Sequence, residues 1–159
     1  MAQLQGLERS RFVARMFAGI SSRYDLLNAL MTAGRHHSWR RRAVRRAVGA
    51  HIGLALDVAT GTGDFAVELG RESSVSGVVG LDFTPAMLAI ASRKSANNGM
   101  KDTTLNVACD AHTLPFADNS FMCATVGFGL RNFIDIRLAL AEMIRVVRPG
   151  GRIVILEIV

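Results

Sequence analysis

Between Leu54 and Ala66 the chain reads LALDVATGTGDFA, an apolar run that ends in an acid, enters a loop with Gly61 and Gly63, and continues into helix-forming residues. A strand, a glycine loop and a helix in that order surround a nucleotide-type cofactor with backbone N–H groups at the carboxyl end of a parallel strand. Gly61-x-Gly63-x-x-Ala66 also fits the dinucleotide fingerprint, so the glycines alone do not name the cofactor. The acids discriminate. Asp57 and Asp64 flank the loop and would repel a pyrophosphate, which a helix N-terminus otherwise attracts. They suit a ligand that carries positive charge, and S-adenosylmethionine has an ammonium, a sulfonium and no phosphate.

Two further acids fit the same site. Asp82 follows the loop by about twenty residues, at the end of a second apolar run, where an acid accepts hydrogen bonds from ribose hydroxyls. Asp110-Ala111 closes a third such run, where a side-chain acceptor and a backbone group can read an adenine edge. Helix capping is the competing role for Asp82, and Thr84 is the better cap residue by type.

The elements that must hold these residues alternate along the chain. Leu54–Thr60, Gly77–Phe83, Thr104–Cys109, Phe121–Phe128 and Arg152–Val159 are strand-like. Asp64–Glu72, a segment opened by Thr84-Pro85 and closed by Gly99, and Ile134–Val147 are helix-like. Such alternation predicts an α/β fold with a mostly parallel sheet and helices on both faces. Residues 1–53 read as a helical, substrate-side extension, and residues 54–159 as the cofactor-binding core of one compact domain. In the extension, His37–Val48 is amphipathic. Trp39, Ala43 and Ala47 share one face, and most of the arginines lie opposite. The sheet is expected to stop after its fifth strand. A fragment, a shortened chain and a homodimer that covers the open edge all fit that expectation.

Half of the 159 residues are apolar, enough for a sizeable core, and no run is long enough to span a bilayer. The first residues lack the basic-then-apolar pattern of a leader. Cys109 and Cys123 lie in apolar stretches and read as buried free thiols of a reducing, cytoplasmic compartment. The histidines show no ligand spacing, so no metal is expected. Net charge is +6, and Arg35, Arg40, Arg41, Arg42, Arg45 and Arg46 crowd one segment. Without aromatic platforms or a nucleic-acid motif, that segment is either a solvated helix face or a face for anionic lipid.

Asp110-Ala-His-Thr-Leu-Pro-Phe-Ala-Asp-Asn-Ser-Phe121 resembles the "DA-x-x-LPF-x-D-x-SF" segment of class I S-adenosylmethionine-dependent methyltransferases, whose fold is Rossmann-like. Arg148-Pro-Gly-Gly-Arg152 resembles their approach to the fifth strand, and Met122 replaces the usual acid after the Phe. Two other stretches are more specific. Phe17 to Asn28, continuing through Gly34-Arg-His36 to Trp39-Arg40, and Gly127-Phe-Gly-Leu-Arg-Asn-Phe-Ile-Asp135 are similar to motifs of the ubiquinone/menaquinone biosynthesis C-methyltransferases. The resemblance spans essentially the whole chain and lacks the family's last helix and two final strands.

The resemblance implies S-adenosylmethionine as cofactor, with contacts at Thr62, Asp82, Asp110 and Ala111 beside Asp57, Gly61 and Gly63. It also implies one at Gly127, a position often Ser in relatives. The implied substrate is a polyprenylated quinol such as demethylmenaquinol, methylated at a ring carbon. Such chemistry needs a base or a cation beside the ring hydroxyl, and Arg131 is the first candidate. Tyr24 and Asp25 are the second. His36 and Trp39 are expected to be structural and Asn132 to anchor its own turn. The tail of such a substrate lies in the bilayer, which gives the arginine-rich helix a peripheral role at the inner face of an anionic membrane. Two other functions remain open: a class I methyltransferase with another small acceptor, and a silent subunit that binds the cofactor without turnover.

Overall fold

The computed structural model describes residues 35–157. Five strands form one parallel sheet: β1 (Gly53–Val58), β2 (Val75–Asp82), β3 (Thr104–Ala108), β4 (Phe121–Gly127) and β5 (Val147–Leu156), in the order β3-β2-β1-β4-β5. The chain reverses direction along the sheet between β1 and β4. That switch point is where open α/β sheets bind ligands.

Helices α1 (His36–Val48), α2 (Asp64–Gly70) and α3 (Pro85–Asn97) cover one face, and α4 (Ile136–Val146) covers the other. The strand pleat divides the core accordingly. Leu56, Val58, Val79, Leu81, Ala124 and Val126 pack with Ala139, Met143 and Val146 of α4. Ala55, Val78 and Cys123 pack with Val44 and Ala47 of α1 and with Phe65 and Leu69 of α2. β1 and β4 are near-continuous apolar runs because both of their faces are covered.

The element boundaries move for identifiable reasons. β1 stops at Val58 because Ala59 turns left-handed at φ 54°, and β4 stops at Gly127 because Phe128 does so at φ 58°. α4 begins at Ile136, where Asp135 caps it by accepting the Leu138 N–H at 3.0 Å. β5 starts at Val147, five residues before the expected Arg152, because the Pro149-Gly150-Gly151 stretch runs along β4 as an irregular register. A Cβ on Gly151 would lie 2.5 Å from the Met122 carbonyl oxygen, so only glycine allows that approach.

α1 departs from the expected pattern. Its buried stripe is His36, Arg40, Ala43, Val44, Ala47 and Val48, whereas Trp39 is 39% exposed. One arginine has therefore changed places with the tryptophan. The other arginines of the helix, Arg41, Arg42, Arg45 and Arg46, are exposed as expected. Two arginines of the β5 approach fix the end of α1 and the turn after it. Arg152 donates to the Arg46 carbonyl at 2.9 Å, and Arg148 to the Ile52 carbonyl at 3.2 Å.

Both cysteines are free thiols. Cys123 is buried, and burial pushes its pKa up to about 11. Cys109 is only half-buried, a correction to the expectation for it, because β3 is an edge strand of this sheet. Among the described residues no helix is long and apolar enough to cross a membrane.

Candidate functional site

The carboxyl ends of β1, β2 and β4 open into three adjoining hollows of about 440, 350 and 560 Å³. Ala59 borders all three. Asp82, Phe83, Asn132 and Phe133 are shared by two of them, and Gly61, Gly127 and Phe128 by another pair. They form one groove, running from β3 across the sheet to α1. Two residues without glycine's freedom, Ala59 and Phe128, hold positive φ on its walls. Strain of this kind collects at binding sites, where the surrounding structure enforces it.

At the middle of the groove Asp82 is 8% exposed. One carboxylate oxygen accepts the Gly61 N–H at 3.0 Å, and the other accepts the Thr84 N–H at 2.8 Å. Burial raises its pKa against those hydrogen bonds. Asp82 thus ties the glycine loop to the start of α3. Thr84 occupies the cap position, but its side chain makes no capping bond. Asp82 holds the Thr84 N–H in its place.

At the β3 end the walls include Leu81, Phe83, Ala111, Phe133 and Ile134, an apolar slot edged by Asp110. Asp110 accepts from the His112 N–H at 2.9 Å and from its ring Nδ1. The ring Nε2 accepts the Asp135 N–H at 3.1 Å, which assigns the proton to Nδ1. Burial raises the Asp110 pKa, but the backbone and ring hydrogen bonds from His112 together outweigh it and hold the carboxyl below its usual value. The loop carrying Asp110 is secured from α4. Arg145 donates to the carbonyls of Leu114 at 3.0 Å and Phe116 at 2.8 Å, and to Glu142 and Asp118. Glu142 in turn accepts the Leu114 N–H at 2.8 Å.

The α1 end is ionic and buried. Asp57 is 1% exposed, and its two oxygens accept from Thr60 at 2.6 Å and Thr125 at 2.7 Å. Burial lifts its pKa to about 6. Asp64 pairs with Arg40 at 2.9 Å and with Lys94. Against the cost of burial, those two cations hold it below the usual carboxylate range. Thr62, 3% exposed, accepts from Lys94 at 3.3 Å. Arg40 is 5% exposed and lies over the Phe65 ring at 5.6 Å, and its buried Nε has no hydrogen-bond partner.

The structure therefore brings together Asp57, Gly61, Thr62, Gly63, Asp82, Asp110, Ala111 and Gly127 at or beside one groove. Gly63, at φ 85°, touches α3 instead of the cavity. A Cβ there would lie 2.9 Å from that of Ala91. Arg131 does not line any of the three hollows. It is 55% exposed and pairs with Glu157 at 3.3 Å, while its neighbour Asn132 faces the groove. Tyr24 and Asp25 lie outside the described residues. Sequence reasoning missed Arg40, His112, Phe83 and Phe133. His112 had a signal, since it follows Asp110 by two residues in an Asx-type turn. Arg40 stood in the Trp39-Arg40 motif of the resemblance, but nothing there set it apart as a site residue from the other arginines of the helix.

The sequence profile of the ubiE/COQ5 methyltransferase family matches residues 4–159. The chain belongs to that family. It is similar to the demethylmenaquinone methyltransferase of Thermus thermophilus, 49% identical over 142 residues, which cover 89% of this chain and 64% of that protein. It is also similar to the ubiquinone/menaquinone biosynthesis C-methyltransferase of Geobacter sulfurreducens, 42% identical over 94% of this chain and 59% of that one. The chain thus spans about 60% of the length of the curated relatives it matches. Among solved structures, the YcgJ protein of Bacillus subtilis superposes with a TM-score of 0.69 at 28% identity, covering 76% of this chain and 50% of that one. A geranyl diphosphate C-methyltransferase of Streptomyces coelicolor, determined with S-adenosyl-L-homocysteine, shares the fold at 19% identity and a TM-score of 0.66, over 74% of this chain and 45% of that one.

The groove of this ubiE/COQ5 family member fits the cofactor that its family implies. It offers an apolar slot with an acid at its edge, a central carboxylate beside backbone N–H groups, and an ionic end with an unsatisfied arginine nitrogen. No cluster of three or more His, Cys, Asp or Glu able to hold a metal occurs among the described residues.

Proposed function

We propose that this chain forms the cofactor-binding part of an S-adenosylmethionine-dependent C-methyltransferase that methylates a ring carbon of a polyprenylated quinol such as demethylmenaquinol. The observation that carries the reading is the 49% identity to a demethylmenaquinone methyltransferase, over a stretch that includes every residue of the groove. The adenine ring belongs in the slot between Phe83 and Phe133, with Asp110 and Ala111 reading its edge. Asp82 serves the ribose, and Gly61, Thr62 and Gly127 border the path toward α1.

S-adenosylmethionine supplies a methyl group on a sulfonium. This chain's part is to align an acceptor carbon with that methyl and to make the carbon nucleophilic. A ring carbon gains electron density when a neighbouring hydroxyl gives up its proton. Arg131 is the proposed cation for the resulting phenolate, helped by Tyr24 and Asp25. Alignment of the two reactants contributes much of the remaining rate. The exposed Arg41, Arg42, Arg45 and Arg46 beside the half-exposed Trp39 form the proposed contact with anionic lipid. Flotation with vesicles that contain anionic lipid, compared with neutral ones, tests that contact, and equal recovery removes it.

The central test incubates the 159-residue chain with S-adenosylmethionine and demethylmenaquinol in detergent, and follows methylated quinol and S-adenosylhomocysteine by mass spectrometry. Stoichiometric appearance of both is expected. Saturable cofactor binding without product would assign this chain to binding alone.

A further inference from the structure

We infer that Arg40 is the receptor for the carboxylate at the amino-acid end of the cofactor, and that the Phe65–Gly127 contact is what presents it to the groove. This inference rests on the proposed cofactor reading and goes beyond it, because it assigns a ligand group to a residue of α1.

The first observation is an unsatisfied charge. Arg40 is 5% exposed, and a guanidinium with so little contact with water requires hydrogen-bond acceptors. It has one carboxylate partner, Asp64 at 2.9 Å, and its Nε has no hydrogen-bond partner at all. Asp64 is itself shared with Lys94, so its single negative charge faces two cations. An acceptor for that Nε is what this arrangement lacks. A guanidinium presents paired N–H donors in the geometry of a carboxylate.

The second observation is the wall that carries Arg40. The guanidinium lies over the Phe65 ring at 5.6 Å, and both residues line the same hollow. The ring itself occupies the space above Gly127. A Cβ at 127 would lie 2.3 Å from Phe65 Cε2 and 2.5 Å from Cδ2. The glycine, the ring and the guanidinium therefore form one stack, and glycine at 127 is a condition for it.

The charge balance selects the ligand. Two acids, Asp57 and Asp64, line the same hollow as Arg40. A phosphate would bring two negative charges against those acids. An α-amino acid brings one of each sign, with its carboxylate for Arg40 and its ammonium for the acidic side.

The test is calorimetric binding to the 159-residue chain of three ligands: S-adenosylmethionine, its decarboxylated analogue, and 5′-methylthioadenosine. Wild type is expected to bind S-adenosylmethionine about 10–100-fold more tightly than the decarboxylated analogue, the range set by a hydrogen bond to a charged group. Arg40→Gln is expected to lose that preference while 5′-methylthioadenosine binds as before, and Arg40→Lys is expected to recover part of it. Equal wild-type affinity for the two sulfonium ligands, or a preference that survives in Arg40→Gln, would overturn the assignment. If Arg40→Gln does not fold, the wild-type preference and its reduction in Arg40→Lys decide. A folded wild type that binds none of the three ligands removes the underlying cofactor reading, and the assignment with it.

Discussion

At the β3 end of the groove Asp110 is 62% exposed and is held by a residue two positions away, His112. At the α1 end Asp57 is 1% exposed and is held by Thr60, three positions away, and by Thr125, 68 positions away on another strand. The first end is an apolar slot with a wet acid at its rim. The second is a largely buried ionic cluster in which Arg40, Asp64, Lys94 and Asp57 come from different elements. A flat aromatic base is recognised well by apolar walls and a few polar edges. A small zwitterion requires fixed charges, and fixed charges discriminate only where water is excluded. The molecule pays in stability at one end and hardly at the other.

The sharpest way to expose that asymmetry is Asp57→Asn. Burial raises the Asp57 pKa from 3.8 to about 6, so between those values the folded state holds more protons than the unfolded one. Stability from this group is therefore present at low pH and falls as pH rises through that window. The shift corresponds to about 3 kcal/mol. Denaturant unfolding of wild type and Asp57→Asn between about pH 3.5 and 7 should show the stability difference moving by that amount in favour of the variant. A difference that stays flat would mean that Asp57 is charged at no cost, and the contrast between the ends would disappear.

Gly127→Ser strikes the α1 end from the opposite wall. Its Cβ would overlap the Phe65 ring, at 2.3 Å from Cε2. Overpacking of this kind costs about 1–3 kcal/mol. Phe65→Leu in the same chain should recover part of the loss, so a double-mutant cycle should give a favourable coupling. Independent effects would show that ring and glycine do not share the space.

Arg145→Ala probes the β3 end. The arginine joins α4 to two carbonyls of the loop after Asp110 and to Glu142, whose pKa it lowers to about 2. The contribution of Glu142 is present above its ordinary pKa of 4.5 and fades as pH falls toward 2. It is small, because the pair is partly solvated. In the variant, affinity for 5′-methylthioadenosine should drop several-fold in calorimetry. The preference for S-adenosylmethionine over its decarboxylated form should persist. Loss of that preference would mean that the two ends are not separable.

The same contrast explains what could be read from the chain. The β3 end was legible because its determinants are local. Asp110-Ala111 ends a strand, the LPF segment follows, and Asp110, Ala111 and His112 edge the slot, although its aromatic walls Phe83 and Phe133 come from elsewhere. The succession of strands and helices along the chain was legible from apolar periodicity for a related reason, since each period needs only neighbours. The α1 end was not legible. Arg40 and Arg41 are adjacent arginines on one helix, and only the packing of α1 against α2 buries the first and exposes the second. Trp39 looked like a core residue by type, yet the buried stripe passes through Arg40 instead. Arg131 was assigned by motif alone, and its pairing with Glu157 depends on where β5 ends.

The smallest expected effect concerns Ala59, where the two ends meet. It borders all three hollows and holds φ at 54°, a conformation that costs a residue with a Cβ about 1–2 kcal/mol. Glycine would remove that strain but lose more backbone entropy on folding, by roughly 0.5–1 kcal/mol. The two partly offset, so Ala59→Gly should raise unfolding free energy by roughly 0–1.5 kcal/mol. Its value lies in the binding data. If the left-handed turn only lets β1 end without blocking the groove, glycine serves as well, and affinities for S-adenosylmethionine and 5′-methylthioadenosine stay at wild-type levels. If the Ala59 methyl is itself a wall between slot and ionic cluster, both affinities fall together while stability rises. A fall confined to S-adenosylmethionine would place the Ala59 methyl with the ionic cluster, and the boundary between the two ends would shift toward β2.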